Sequence, residues 1–287
     1  LLREALKRSL GQASVAMTEE AVARRDQLTA TRDGRKVVTT REVLQEEQQM
    51  IDFARKGRGT CRPIQTGKHT FADARLNDQQ RAAVLHLLQS PDRVMVVRGA
   101  AGTGKTTMMT EAVGAMEAAG TRVFTFAPSA DASRGVLRSE GFETADTVAR
   151  LLQDEKLQQT VTGGVLWIDE AGLLGTKTLK QVFDLADRQQ CRVVLSGDRR
   201  QHGSVERGAA LRLLETEAGI LAAEIRQIQR QEGAYRSAVE DLSAGLTEAA
   251  FEKLDRLGWI RELPREERES AIAGEYVAAI RKGQTAL

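Results

Sequence analysis

Four short, nearly unbroken apolar runs mark the middle of the chain: Val94-Met95-Val96-Val97, Val123 to Phe126, Val165 to Ile168 and Val193-Val194-Leu195. Each is rich in β-branched residues and lacks the apolar–polar alternation of a half-solvated strand. Each therefore predicts a strand buried on both faces of a parallel sheet. Stretches of helical periodicity separate them, which gives an α/β architecture with right-handed crossovers and helices flanking the sheet. Ahead of the first run, residues 1 to about 62 predict charged helices. Thr39-x-x-Glu42 matches a capping box, and apolar positions 43, 44, 50, 51 and 54 continue an amphipathic helix after it. Gly57-Arg58-Gly59-Thr60-Cys61-Arg62-Pro63 and Gly67-Lys68-His69 read as loop. Past about residue 233 the pattern is mostly helical, with Trp259-Ile260 as a candidate short strand.

Composition narrows the function classes. With 41% hydrophobic residues in 287, the chain has material for a real core. Lys and Arg (42) nearly cancel Asp and Glu (40), so a nucleic-acid site would have to come from local clustering rather than net charge. No apolar run approaches the roughly eighteen residues of a membrane span. Cys61 and Cys191 lie far apart and fit a reducing, cytoplasmic compartment better than a disulfide scaffold. His69, His86 and His202 make no metal spacing with them. Membrane, secreted and zinc-module classes are thus disfavoured. The opening Leu1-Leu2-Arg3-Glu4 lacks an initiator Met and a signal-peptide pattern, which suggests a piece of a longer protein.

Two neighbouring elements carry chemistry. Gly99-Ala100-Ala101-Gly102-Thr103-Gly104-Lys105-Thr106 fits the G-x-x-x-x-G-K-[ST] phosphate loop at every position, after an apolar strand and before a helical run. Its glycines let backbone N–H groups curl around phosphate oxygens, and the helix N-terminus adds partial positive charge. Lys105 would pair with the β- and γ-phosphates, Thr106 would ligate Mg²⁺, and Thr107 completes the ATP-binding set. In Val165-Leu166-Trp167-Ile168-Asp169-Glu170-Ala171, two carboxylates emerge at the end of a buried strand, where open α/β sheets hold their ligands. Asp169 would hold Mg²⁺, and Glu170 would orient or deprotonate the attacking water. Another buried strand ends in Ser196-Gly197-Asp198-Arg199-Arg200-Gln201, where Gln201 either reaches the γ-phosphate or simply belongs to a polar turn.

These residues resemble superfamily 1 helicases. Gln80, in Leu76-Asn77-Asp78-Gln79-Gln80, is similar to the adenine-recognising Q motif. The phosphate loop matches motif I, Ala127-Pro128-Ser129-Ala130 motif Ia, Asp169-Glu170-Ala171 motif II and Gly197-Asp198-x-x-Gln201 motif III. Within that superfamily the pattern is RecD-like. More narrowly it resembles the helicase part of TraI/TrwC-type conjugative relaxases, through residues 197–208, Ile228-Gln229-Arg230-Gln231 and Thr39-Thr40-Arg41-Glu42. The resemblance implies a RecA-like P-loop NTPase lobe that moves on single-stranded DNA in the 5′ to 3′ direction. Arg230 is then the motif IV arginine that approaches the γ-phosphate, with Arg226 in the sister Arg-Gln pair as its rival. Pro128 and Ser129 are implied to contact strand phosphates, and Arg134 and Arg138, four apart, would add charge beside them or face solvent.

The resulting domain scheme has a helical N-terminal segment over 1–62, a linker over 63–75 and a RecA-like ATPase lobe over 76–232. A helical part over 233–287 would lead into a truncated second lobe at Gln284-Thr285-Ala286-Leu287. Motifs V and VI of that second lobe are not found, nor are the Tyr nucleophile and His cluster of a relaxase. The expected partners are single-stranded DNA, a second RecA-like lobe and an upstream relaxase domain. The fragment itself would hydrolyse ATP weakly, without unwinding or nicking DNA. Two alternatives compete: a fragment that only binds DNA or a transfer partner, and another P-loop NTPase such as a GTPase. The missing Asn/Thr-Lys-x-Asp base-recognition motif argues against a GTPase.

Overall fold

The structure, a computed structural model, describes residues 2–24, 27–32, 34–100, 102–198, 207–227 and 233–283. It divides into two compact units, Leu1–Gln227 and Ile228–Leu287.

The first unit opens with helices α1 (Leu2–Arg8) and α2 (Val15–Ala23), then an antiparallel hairpin of β1 (Gln27–Arg32) and β2 (Arg35–Thr40). The hairpin is an addition to the mainly helical segment expected over 1–62. Thr29, Thr31, Val37, Val38, Thr39 and Thr40 are β-branched, and Gly34 has φ +71° between the strands. Helix α3 (Arg41–Lys56) starts one residue later than the capping box predicts. Thr40 is the cap and its hydroxyl accepts from the Val43 amide. Nor is α3 a separate appendage. Met50, Ile51 and Ala54 are buried in the main core, and Phe53 stacks on Phe183 with ring centroids 4.7 Å apart.

The remaining elements of this unit alternate. Helix α4 (Asp78–Gln89) precedes β3 (Val94–Gly99), followed by α5 (Lys105–Ala118) and β4 (Val123–Ala127). A π-helical segment (Asp131–Leu137) leads to β5 (Asp146–Thr147), α6 (Val148–Gln153) and α7 (Glu155–Thr160). Then come β6 (Val165–Ile168), a 3₁₀ turn (Ala171–Leu173), α8 (Thr176–Arg188), β7 (Arg192–Gly197), α9 (Ala210–Thr216) and β8 (Ala222–Ile225). Six strands form one sheet in the order β5-β4-β6-β7-β3-β8, and every neighbouring pair is parallel.

The four apolar runs are strands, buried on both faces for the reason their sequence suggests. Val94, Val96, Leu166, Ile168, Val193 and Leu195 enter one core with α3, α8 and α9; Met95, Val97, Val165, Trp167 and Val194 enter another with α4 and α5. The edge strands β5 and β8 have no such signature: one is Asp146-Thr147, and in the other only Ile225 is buried. The order has one consequence for chemistry. Strand β7 lies between β3, which feeds the phosphate loop, and β6, which feeds Asp169 and Glu170.

The second unit consists of α10 (Gly233–Ala244), α11 (Thr247–Arg256) and α12 (Arg265–Arg281). Trp259-Ile260 is not a strand; the Trp259 ring instead packs on Tyr235 at 4.7 Å between centroids. Ala238 and Ala250 are buried between α10 and α11, Lys253 donates to Ser237 at 2.8 Å and pairs with Asp241, and α12 buries no residue. Among the described residues, no helix is long and apolar enough to cross a membrane.

Candidate nucleotide-binding site

The phosphate loop leaves β3 at Gly99, where the chain approaches itself closely. A Cβ on Gly99 would meet Thr103 Oγ1 at 2.9 Å and Lys105 Cγ at 3.0 Å, so a larger residue would close the cradle. Gly102 and Gly104 have φ of +76° and +75°, a conformation that side chains resist. Thr103 is fully buried and its hydroxyl donates to the Ala100 carbonyl at 2.8 Å. Lys105 begins α5 and its ammonium donates to the carbonyls of Gly99 (2.7 Å) and Ala100 (3.1 Å). Thr106 and Thr107 are half-buried in the first turn of α5, and Ala101 lies outside the described residues.

Gln80, the candidate base-recognising residue, holds the phosphate loop from below. It is buried beneath the loop, with its amide nitrogen donating to the carbonyls of Thr103 (3.2 Å) and Gly104 (3.0 Å). Its oxygen accepts from the Asn77 amide at 2.9 Å, closing a true capping box on α4. The amide thus ties the loop to the cap of α4. The neighbouring Gln79, which sequence reasoning passed over, accepts from the backbone N–H groups of Arg226 (2.7 Å) and Gln227 (3.0 Å). Glu111 on α5 was also missed. Its two oxygens take His69 Nε2 and the amides of Ala72 and Asp73, at 2.9 to 3.0 Å, tying the chain ahead of α4 to the phosphate-loop helix. Thr107 and Glu111 help line a cavity of about 720 Å³ there.

Asp169 and Glu170 follow β6. The Asp169 amide donates to the Phe126 carbonyl at 2.8 Å, extending the β4–β6 ladder, and its carboxylate accepts from the Ser196 hydroxyl at 2.6 Å. Glu170 turns into the left-handed region with φ +52°, an arrangement costing on the order of 1–3 kcal/mol that clusters at functional sites. Partial desolvation, ahead of the adjacent Asp169 charge, pushes the Glu170 carboxyl above its ordinary range, while Lys105 pulls the other way. The turn is held tightly: a Cβ on Gly197, at the end of β7, would meet the amide nitrogens of Ala171 at 3.1 Å and Gly172 at 3.2 Å. Thr106 and Asp169 offer a hydroxyl and a carboxylate, the hard oxygens Mg²⁺ favours. No group of three or more His, Cys, Asp or Glu with metal-holding geometry occurs among the described residues. That donor set fits an ion that takes one or two protein oxygens and completes its shell with phosphates and water.

After β4, Pro128 is half-buried and Ser129 exposed. The Ser129 hydroxyl accepts from the Ala132 amide at 3.1 Å and its carbonyl takes the Ser133 hydroxyl at 2.8 Å, so Ser129 is tied to the start of the π-helical segment. Arg134 and Arg138 are not simply a solvated pair. Arg134 forks onto Asp146 Oδ1 (3.1 and 2.8 Å), and Arg138 donates to the Ala145 carbonyl at 2.9 Å and lies 3.5 Å from Asp146. Arg226, the rival arginine, donates through Nε to Glu224 and pairs with it through Nη2. Gln201 and Arg230 lie outside the described residues.

A glycine cradle opening a helix, an Asp-Glu pair two strands away and the interposed β7 define a RecA-like P-loop NTPase fold. Residues 75–265 match the AAA_30 family, described as an AAA domain, and the chain belongs to that family. It is homologous to the conjugal transfer protein TraA of Rhizobium radiobacter, with 30% identity covering 75% of this chain and 22% of that protein. The TraA protein of Agrobacterium fabrum is 34% identical over 64% of this chain and 16% of its own. The multifunctional conjugation protein TraI of Escherichia coli is 28% identical over 82% of this chain and 14% of its own. The chain thus spans between 14% and 22% of the length of these curated relatives. Among solved structures, one of Pif1 helicases acting at forked double-stranded DNA aligns over 58% of this chain and 48% of that one, with 18% identity and a TM-score of 0.42.

Proposed function

We propose that this chain is the ATP-hydrolysing motor lobe of a DNA helicase or translocase that serves conjugative DNA transfer. The observation that carries the reading is the convergence at the C-terminal ends of β3, β7 and β6 of a phosphate cradle with Lys105, the Ser196-Gly197-Asp198 strand end, and Asp169 with the strained Glu170. Backbone N–H groups of the loop and Lys105 would hold the phosphates, and the loop carbonyls that now take the lysine would give it up to them. Thr106 and Asp169 would hold Mg²⁺, which neutralises phosphate charge. Glu170, with its proton affinity raised, would accept a proton from water attacking the γ-phosphate. Gln201 and either Arg230 or Arg226 would complete the site as the motif resemblance implies. Single-stranded DNA would run past Pro128 and Ser129, with the motor moving 5′ to 3′ along it, in the cytoplasm. The lengths of the relatives fit a parent protein carrying a second RecA-like lobe and a relaxase domain. We therefore expect slow turnover and no unwinding or nicking by this chain alone.

The test is steady-state ATPase with and without single-stranded DNA, on this chain and on the parent protein. The expected outcome is Mg²⁺-dependent turnover, stimulated by the strand in the parent and cut on the order of 10²–10³-fold by Lys105→Ala with circular dichroism unchanged. Full turnover by a folded Lys105→Ala protein would overturn the assignment.

A further inference from the structure

Behind Asp169 runs a buried hydrogen-bond chain that crosses two strands. In the β6–β7 register Trp167 lies opposite Val194, and the two share one core, so Ser196 is the next residue on that face toward the active edge of the sheet. Trp167 Nε1 donates to Ser196 Oγ at 2.8 Å, and Ser196 Oγ donates to Asp169 Oδ1 at 2.6 Å. Both relay residues are almost wholly buried, Trp167 at 0% and Ser196 at 1% exposure. The polarity of this chain is fixed by chemistry. An indole N–H can only donate, so the hydroxyl must accept there, and its single proton is directed to the carboxylate. The short hydroxyl–carboxylate distance is that of a charge-assisted bond.

We propose that Ser196 is the positioning residue for Asp169: its hydroxyl, locked by Trp167, holds one carboxylate oxygen and so presents the other to the cation of a bound nucleotide. The inference rests on the nucleotide-hydrolysis reading and adds two side chains that touch neither nucleotide nor cation. Groups that orient a metal-binding side chain in this way are worth about tenfold to a hundredfold in metal affinity. A merely space-filling serine would tolerate alanine without any change in cation affinity.

The chain supplies its own reporter. It has two tryptophans, so in a Trp259→Phe background Trp167 is the single indole. Mg²⁺ is titrated at saturating ADP while Trp167 emission is followed, and ADP affinity is measured separately with EDTA. In the Ser196→Ala variant, apparent Mg²⁺ affinity is expected to fall about tenfold to a hundredfold. Its ADP affinity in EDTA should be unchanged and the emission response should move to correspondingly higher Mg²⁺, and Ser196→Thr should restore the wild-type response. A folded Ser196→Ala protein with unaltered Mg²⁺ affinity would overturn the inference alone. A wild-type protein that binds no Mg²⁺·ADP would overturn the nucleotide reading and this inference with it. Should Ser196→Ala not fold, Trp167→Phe serves with a fluorescent ADP analogue. Unlocking the hydroxyl should weaken Mg²⁺ binding, and unchanged affinity would again count against the proposal.

Discussion

The centre and the edge of the sheet hold their charges in opposite ways. At the centre, Lys105 is held by two backbone carbonyls and Glu170 by a strained turn, arrangements a ligand can replace or exploit. At the edge, β5 buries Asp146 and surrounds it with arginines: Arg134 at 2.8 Å, Arg150 at 2.6 Å and Arg138 at 3.5 Å. Burial pushes the Asp146 carboxyl up, but the Thr147 amide and the Arg134 and Arg150 guanidiniums outweigh it and hold the group down at about 2. One cluster leans on backbone partners that a ligand can replace, whereas the other turns guanidiniums and carboxylate on each other. A basic face read from sequence is thus worth less to a DNA backbone than its arginines suggest, since part of their charge is already answered from within.

The largest test of that contrast lies at the centre. Glu170→Gln should cut ATP turnover on the order of 10²–10⁴-fold, as loss of a general base does, with nucleotide affinity retained. Parallel ATPase and ADP-binding assays check this, and unchanged turnover would remove Glu170 from the chemistry. Lys105→Ala should cost on the order of 10²–10³-fold and weaken nucleotide binding as well, because a charge that follows the phosphates is gone.

At the edge the expected effects are on stability. Asp146→Ala leaves three guanidiniums facing one another and should destabilise the first unit by on the order of 2 kcal/mol, discounted because the arginines are half exposed. Urea denaturation reads it. The pH dependence has a definite sign: a carboxyl lowered from 3.8 to about 2 contributes its full stability above pH 3.8 and loses it as the pH falls toward 2. The Asp146→Ala protein should lack that part of the acid transition. The smallest effect is Arg134→Ala on single-stranded DNA binding. A phosphate contact normally accounts for roughly 0.7 unit of the salt slope on a single strand. An arginine committed to Asp146 should account for clearly less. A full-sized drop would show that Arg134 abandons the carboxylate when DNA arrives.

The parts of this site that were legible in the sequence are those made by contiguous backbone. The phosphate loop and the Asp-Glu pair need a strand, a turn and particular residues in order, and a linear string displays that order. The four inner strands were legible because burial on both faces leaves an unbroken apolar run. What escaped were the partners set by register or by rotamer. Nothing in Leu195-Ser196-Gly197 announces that Ser196 faces Trp167 across a strand pair. Nothing in Gln79-Gln80 says that both amides are committed within the fold. The β1–β2 hairpin escaped because two six-residue strands of Thr, Val and charged residues expose too little pattern to separate from helix. The short strand expected at Trp259-Ile260 failed because an aromatic and a β-branched residue also suit a helix-end contact, here with Tyr235.

The paired glutamines at the start of α4 carry a mechanical consequence. Gln80 is hooked to the phosphate loop and Gln79 to the chain leaving β8, and the two are consecutive residues of one helical turn. That turn is a yoke. A shift of the loop relative to Arg226 and Gln227 therefore works against hydrogen bonds at both arms, and α4 couples the phosphate loop to the end of β8 through two adjacent side chains.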